Sequence, residues 1–363
     1  MRTVVKLGSS SLTDEHGELR LDAMAKAAAE VAAARGAGHE VVLVSSGAVA
    51  AGLPALGIAA ADRPKDAQTL QAVSAVGQAR LMQRWNEAFA AHGLVAGQVL
   101  MAPLDFMVRA QYLHARSTFD RLLSLGAVPV VNENDATADD EIRFGDNDRI
   151  AALVAHLVGA DTLVLLTDTD GLMDADPRLD EGASLIEEIA EIDAELEQLA
   201  GGAGTDRGSG GMASKVAAAK MASWSGVRVV IARADRPEVL ADALAGVPGT
   251  GTVVQARTER VPARKLWIGF ALPAEGRVVV DDGAVRAVTS GGRSLLAAGV
   301  VAVEGSFAVD DAVEIVDAAG RVVAKGLARA DADTVRANAG RRSDELAAGE
   351  GEVVHRDDLV VLP

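Results

Sequence analysis

At 363 residues the chain is long enough for two domains, on a scale of about 150 residues per domain. It is 49% hydrophobic but only 3% aromatic, and it has no cysteine, which excludes disulfides, thiol nucleophiles and thiolate metal sites. The formal charge of −17 disfavours nucleic acid as the main partner, because duplex affinity rests largely on neutralised phosphates.

The N-terminus runs straight into a strand-like VVKLG, without the basic, apolar, small-residue order of a signal peptide. No stretch approaches the roughly 18 uninterrupted apolar residues of a membrane span. The most apolar one, residues 150–166, is interrupted by His156, Gly159 and Asp161. A soluble, cytoplasmic protein with no membrane partner is the expectation. Much of the apolar content is Ala and Val, a helix former and a strand former, and the two alternate in blocks. The pattern predicts a strand over 3–7, a helix over 22–35, a strand over 40–44 and a turn at Ser45-Ser46-Gly47. A long helix follows over 67–91, then a strand (95–101), a helix (109–125), a strand (127–131), a helix (148–158) and a strand (162–167). The glycine-rich segment 201–211 leads into a helix (212–223) and a strand (227–232).

Such alternation means a mostly parallel central sheet with helices on both faces, an α/β fold whose ligands sit beyond the carboxyl ends of the strands. Polar and glycine-rich residues do follow the strand ends, at 8–10, 45–47, 132–135 and 167–168. Beyond residue 253 the texture changes. Residues 254–274 read as a linker, basic in its middle and containing Pro262. Short strands with turn signals then fill 275–357, which reads as a small β-rich domain, a barrel.

Familiar phosphate motifs are missing: there is no G-x-x-x-x-G-K-[ST], no G-x-G-x-x-G after a strand, and no protein-kinase H-R-D or D-F-G. The six histidines form no metal-ligand spacing, and His156, inside an apolar helix, reads as a packing residue. What remains is a set of strand-end motifs: VVKLGSSSLT at 4–13, VSSGAVAAG at 44–52, PVVNENDA at 129–136, FGDNDRIAAL at 144–153, LLTDTDGLMDADPR at 165–178 and GSGGMASKVAAAK at 208–220. Together, in this order, they resemble the amino-acid-kinase family. The match is to its glutamate-phosphorylating bacterial branch, which carries a C-terminal PUA domain. GSF at 305–307 and VHRDD at 354–358 extend the resemblance into the tail.

The residues make chemical sense for such a reaction. A γ-carboxylate is already ionised at neutral pH, with a pKa of about 4.3, so no general base is needed. The obstacle is repulsion between a carboxylate and a triphosphate that must meet in line. Lys6 leaves the first strand beside Gly8, and Lys215 lies early in a helix whose N-terminal amides add to its charge. Each ammonium can supply roughly 4 kcal/mol at about 4 Å and an effective dielectric near 20, before desolvation. The resemblance implies that Lys6 and Lys215 flank the transferring phosphoryl group as catalytic residues and that Asp148 orients them. It assigns glutamate to Ser46, Gly47, Asn132, Asp135 and Asn147, with Asp135 able to accept from the α-ammonium group. It assigns ATP to Lys6, Thr167, Asp168, Ser209, Gly210, Gly211, Met212, Ala213, Ser214 and Lys215. Mg2+ is expected to arrive with ATP, held by phosphates and water, with no protein metal ligand.

The same resemblance implies the first step of proline biosynthesis, proline as a feedback inhibitor, a homo-oligomer, and a glutamyl phosphate reductase that consumes the product. Some positions depart from the family pattern. Ser9, Ser45 and Ser209 replace threonines, Asp170 and Met173 replace a common lysine and tyrosine, and Asp310 stands in a turn where PUA domains favour glycine. Residues 275–353 carry 14 acidic and 9 basic side chains, which argues against RNA as the tail's ligand. Two alternatives stay open on sequence alone: a sister kinase acting on aspartate, acetylglutamate, carbamate or UMP, and a regulatory or RNA-interacting protein with an inactive kinase domain.

Overall fold

The computed structural model describes residues 1–14, 16–137, 147–175, 180, 182–201, 211–258, 260–347 and 351–362. The chain divides into two compact units, Met1–Arg260 and Val261–Pro363.

The first unit is built as the block alternation predicts. Its elements run β1 (Arg2–Leu7), α1 (Ser9–Leu12), α2 (Leu21–Gly36), β2 (Glu40–Ser45), α3 (Ala48–Ala55), α4 (Ala67–Ala90), β3 (Ala96–Met101), α5 (Pro103–Met107) and α6 (Arg109–Ser124). They continue with β4 (Val128–Glu133), α7 (Asn147–Val158), β5 (Thr162–Thr167), β6 (Glu188–Ile189), α8 (Ala194–Gly201), α9 (Met212–Trp224), β7 (Arg228–Arg233), α10 (Val239–Ala245) and β8 (Gly251–Val254). The sheet order is β3-β4-β2-β1-β5-β7-β8-β6. Neighbours from β3 to β7 are parallel, and only β8 meets β7 antiparallel. Parallel strands covered on both faces need continuous apolar runs, and β4 and β5 are buried along their whole length.

The pleat sends alternate residues to opposite faces. Val5, Leu7, Val41, Leu43, Val164 and Leu166 join the core formed with α2, α4 and α10. Lys6, of the other parity, turns to the side of α7 and α9. Register then lines up the strand ends. Leu7 is level with Ser45 and with Leu166, and Val44 with Val131, so Ser46, Asn132 and Thr167 all emerge at one edge of the sheet.

Helix α3 was not foreseen, because Gly52 and Pro54 are poor helix residues. It exists by packing. A Cβ on Gly77 of α4 would collide with the Ala48 carbonyl and reach the Gly52 amide, and a Cβ on Gly52 would collide with the Val73 carbonyl. Only glycine at both positions lets the two helices meet backbone to backbone.

The second unit holds α11 (Ala263–Leu266), a wide helical turn at Trp267–Ala271, β9 (Gly276–Val280), α12 (Asp282–Thr289), β10 (Leu295–Leu296), β11 (Val300–Gly305), β12 (Ala312–Val316), β13 (Val322–Ala328), α13 (Ala332–Asn338) and β14 (Glu352–Val361). Its six strands form one sheet in the order β10-β14-β13-β12-β9-β11. Val278, Val313, Ile315, Val323, Val354 and Leu359 centre its core. The compact unit starts at Val261, inside the stretch read as a linker. Leu266, Trp267 and Ile268 are buried, and Arg264 bonds Asp358 at 2.7 Å, because an apolar WIGF segment is covered rather than left in water. Asp310, in its turn, adopts the left-handed backbone that glycine would take, at φ 70°.

Candidate active site

Three charged side chains meet in the dry interior behind the strand edge. Lys6 of β1 is 3% exposed, Lys215 of α9 4%, and Asp148 of α7 0%. The Lys6 ammonium pairs with Asp148 Oδ1, and Lys215 Nζ lies 3.2 Å from Asp148 Oδ2. Ser214 Oγ donates to the same Oδ2 at 2.9 Å. Burial opposes ionisation of Asp148, but the two ammonium groups overcome it and hold its carboxyl below the ordinary range. The carboxylate sits in the first turn of α7, where the helix dipole also favours it. Two ammonium groups thus share one buried carboxylate, in a chain whose total charge is −17. At Gly8 a Cβ would lie 3.2 Å from Lys6 Nζ, so glycine keeps that approach open.

Beside this cluster a chain of amides and hydroxyls joins three of the residues expected to read an acceptor substrate. Asn147 Nδ2 donates to Ser46 Oγ at 2.8 Å and to Asn132 Oδ1 at 3.0 Å. The backbone N–H of Glu133 donates to Asn132 Oδ1 at 2.9 Å. Asp135 accepts the hydroxyl of Ser74. Burial pushes the Asp135 carboxyl above its usual range, with the Ser74 bond acting against it. Gly47 has φ 111° and opens α3, a conformation costly for any residue with a Cβ.

Two residues in this network were not singled out by sequence. Gln78 accepts from Asn132 Nδ2 at 2.8 Å, and both it and Ser74 stand on α4. Their signal was present but weak: Ser74, Gln78, Leu81, Trp85 and Phe89 recur at helical spacing and form the buried stripe of α4. Trp85 Nε1 on this stripe donates to Ser45 Oγ at 2.8 Å.

The residues expected to hold nucleotide are less closely joined. Gly211 precedes α9 and caps it with extended backbone, and Met212, Ala213 and Ser214 form its first turn. Ser209 and Gly210 lie outside the described residues. Thr167 and Asp168 follow β5, bonded to each other at 3.0 Å. With Leu7, Ser10, Ser11 and Leu166 they help line a cavity of about 130 Å3 that includes none of Lys6, Asp148 and Lys215. Asp170 pairs with Arg233 at 2.7 and 3.1 Å. His156 packs as a ring, 6.3 Å from that of Tyr112, and burial holds its pKa down at about 4.

A charged cluster of this kind suits an anion in transfer between two other anions, since fixed ammonium groups need no reorganisation when charge develops. The chain is also similar to known proteins. The model of the amino acid kinase family matches residues 1–233, and that of the PUA domain matches residues 276–349. The glutamate 5-kinase of Burkholderia mallei (strain SAVP1) is 47% identical over 366 residues, covering 99% of this chain and 98% of its own. That of Ralstonia pickettii (strain 12J) is 48% identical, covering 99% of this chain and 97% of its own. Among solved structures, the UMP kinase of Bacillus anthracis aligns at 14% identity with a TM-score of 0.49, over 70% of this chain and 95% of that one.

Proposed function

Because this chain belongs to the amino acid kinase family, with a PUA domain after the kinase domain, we propose that it transfers the γ-phosphoryl group of ATP to the γ-carboxylate of L-glutamate, giving L-glutamyl 5-phosphate and ADP. The observation that carries this reading is the buried Lys6–Asp148–Lys215 cluster, in which two ammonium groups are held on one carboxylate. A carboxylate nucleophile needs no base, so catalysis reduces to bringing two anions together and stabilising the charge between them. Lys6 and Lys215 flank the γ-phosphoryl group. Asp148 holds both ammonium groups at fixed positions, so little reorganisation is needed in the transition state. The N-terminal amides of α9 add to the field from the nucleotide side.

On the acceptor side, Ser46 and the Gly47 amide face the substrate's carboxylates, while Asp135 faces the α-ammonium group. Mg2+ enters with ATP, carried by phosphate oxygens and water. Both Asp148 oxygens are engaged by lysines and Ser214. When bound, Mg2+ neutralises phosphate charge. The product is a labile acyl phosphate, so a reductase that consumes it directly fits the chemistry. On this reading the enzyme opens proline biosynthesis, works as a homo-oligomer and answers to proline as feedback inhibitor.

The test is ATP consumption with glutamate, aspartate, N-acetylglutamate and UMP, with acyl phosphate trapped as the hydroxamate. Glutamate-dependent hydroxamate is the expected result. Turnover with another member of the panel alone moves the substrate assignment, and silence from folded protein with ATP and Mg2+ removes the kinase reading.

A further inference from the structure

Carboxamides leave their orientation open unless a partner of fixed character decides it. In the acceptor network one partner does. The backbone N–H of Glu133 can only donate, and it lies 2.9 Å from the Asn132 side chain, so that end of Asn132 is the oxygen. Its other end is therefore the NH2, and the Gln78 atom 2.8 Å away is an acceptor, Oε1. The Asn132 oxygen also takes a bond from Asn147 at 3.0 Å, which makes that end of Asn147 its NH2, and the second proton goes to Ser46 Oγ at 2.8 Å. Both donors of Asn147 are thus engaged. Its Oδ1 is buried and has no hydrogen-bond partner among the described residues. An unpartnered buried oxygen is costly unless a ligand supplies a donor.

The Asp135 carboxylate belongs to the same network through α4. Ser74, four residues before Gln78 and on the same face of the helix, donates to it. Between them stands Gly77, at the backbone contact that fixes α4 against α3. One turn of α4 therefore touches both ends of the acceptor site, and the helix behind it cannot slide.

We propose that Gln78 and Ser74 are positioning residues that hold Asn132 and Asp135 in the hydrogen-bond arrangement whose polarity the Glu133 N–H sets, so that Asn147 Oδ1 and the Asp135 carboxylate both face a substrate ammonium group. The site then reads a free α-amino group by presenting two acceptors to it. A substrate whose nitrogen is acylated offers one N–H and no charge, and leaves an acceptor unsatisfied. This inference rests on the reading of the acceptor as an amino acid.

The experiment uses the full chain and compares Gln78→Leu with Gln78→Glu. Leucine removes the acceptor that holds Asn132, whereas glutamate keeps an oxygen there. Gln78→Leu is expected to raise the KM for glutamate about tenfold, the scale of one lost buried hydrogen bond, and to leave the KM for ATP unchanged. Gln78→Glu is expected to stay near the parent in both. Equal effects of the two substitutions, an unchanged glutamate KM, or a parallel rise in both KM values overturns the proposal. Should Gln78→Leu fail to fold, Ser74→Ala takes its place, with the same rise in glutamate KM alone expected and an unchanged value overturning the inference. A parent chain that forms no glutamate-dependent hydroxamate refutes the functional reading beneath it. A parent chain that does form it, with variants that bind glutamate normally, refutes this inference alone.

Discussion

Lys6 and Lys215 share one carboxylate, so removing a cation and removing the anion are different experiments. Lys6→Ala leaves the Asp148–Lys215 ion pair in place. Turnover is expected to fall by about 100- to 1,000-fold, the usual cost of one electrostatic contact to a transition state, with the melting temperature held. Near-normal turnover would remove the lysine mechanism. Asp148→Asn instead leaves two buried ammonium groups facing each other, and a loss of about 3–5 kcal/mol in urea unfolding is expected. The parent's own acid limb has the matching sign. Burial opposes the Asp148 charge and the lysines prevail, so its folded pKa lies below the ordinary 3.8. Its contribution to stability is complete above 3.8 and is lost as pH falls through that lower folded value. Asp135 behaves in the opposite way, because burial raises its pKa. An ammonium group binds its ionised form, so the KM for glutamate should climb as pH falls toward a point above 3.8, while the KM for ATP does not follow. Asp135→Asn should bind glutamate weakly at every pH and flatten the profile.

At the level of elements, α4 carries more of the site than its sequence suggests. The strand-end motifs were legible because polar residues after an apolar strand have one place to go, the sheet's carboxyl edge. Ser74 and Gln78 were not, because polar residues on a 24-residue helix read first as its solvent face. The packing of α3, α2 and the sheet on α4 turns that stripe inward. The contact with α3 yields a prediction. Gly77→Ala gains about 1 kcal/mol of helix propensity, yet its methyl group meets the Ala48 backbone rather than a flexible side chain. A net loss of about 2 kcal/mol is expected, as in overpacked cores. The shift should appear in the urea midpoint together with a raised KM for glutamate, since Gln78 moves with its neighbour. A stable variant with normal glutamate binding would show that α4 does not hold the site through this contact.

Across the whole chain, composition changes texture near residue 250, whereas the compact units divide between Arg260 and Val261, at a point set by packing that composition does not report. A basic stretch with a proline resembles a linker until its apolar end, Leu266 to Ile268, is seen covered. Helices α12 and α13 were likewise hidden among short strands, although Asp281 and Asp331 cap them at 2.7 and 2.8 Å and could have announced them. Charge, by contrast, is a property that sequence states outright, and it bears on what the second unit binds. PUA-like folds invite the expectation of RNA, which would require arginines available to phosphate. Here Arg264 and Arg329 bond Asp358, Arg277 bonds Glu314, and Arg321 bonds Asp317. Residues 275–353 have 14 acidic side chains against 9 basic ones, inside a chain of −17. Drawing RNA to this surface means breaking such pairs and working against a repulsive field. The full chain is therefore expected to leave structured RNA unretained in filter binding even near about 50 mM salt, where nonspecific phosphate contacts are strong. Added RNA should leave glutamate-dependent turnover unchanged. Saturable retention that weakens steeply with salt would instead mean that the remaining arginines form a phosphate-binding face despite the net charge.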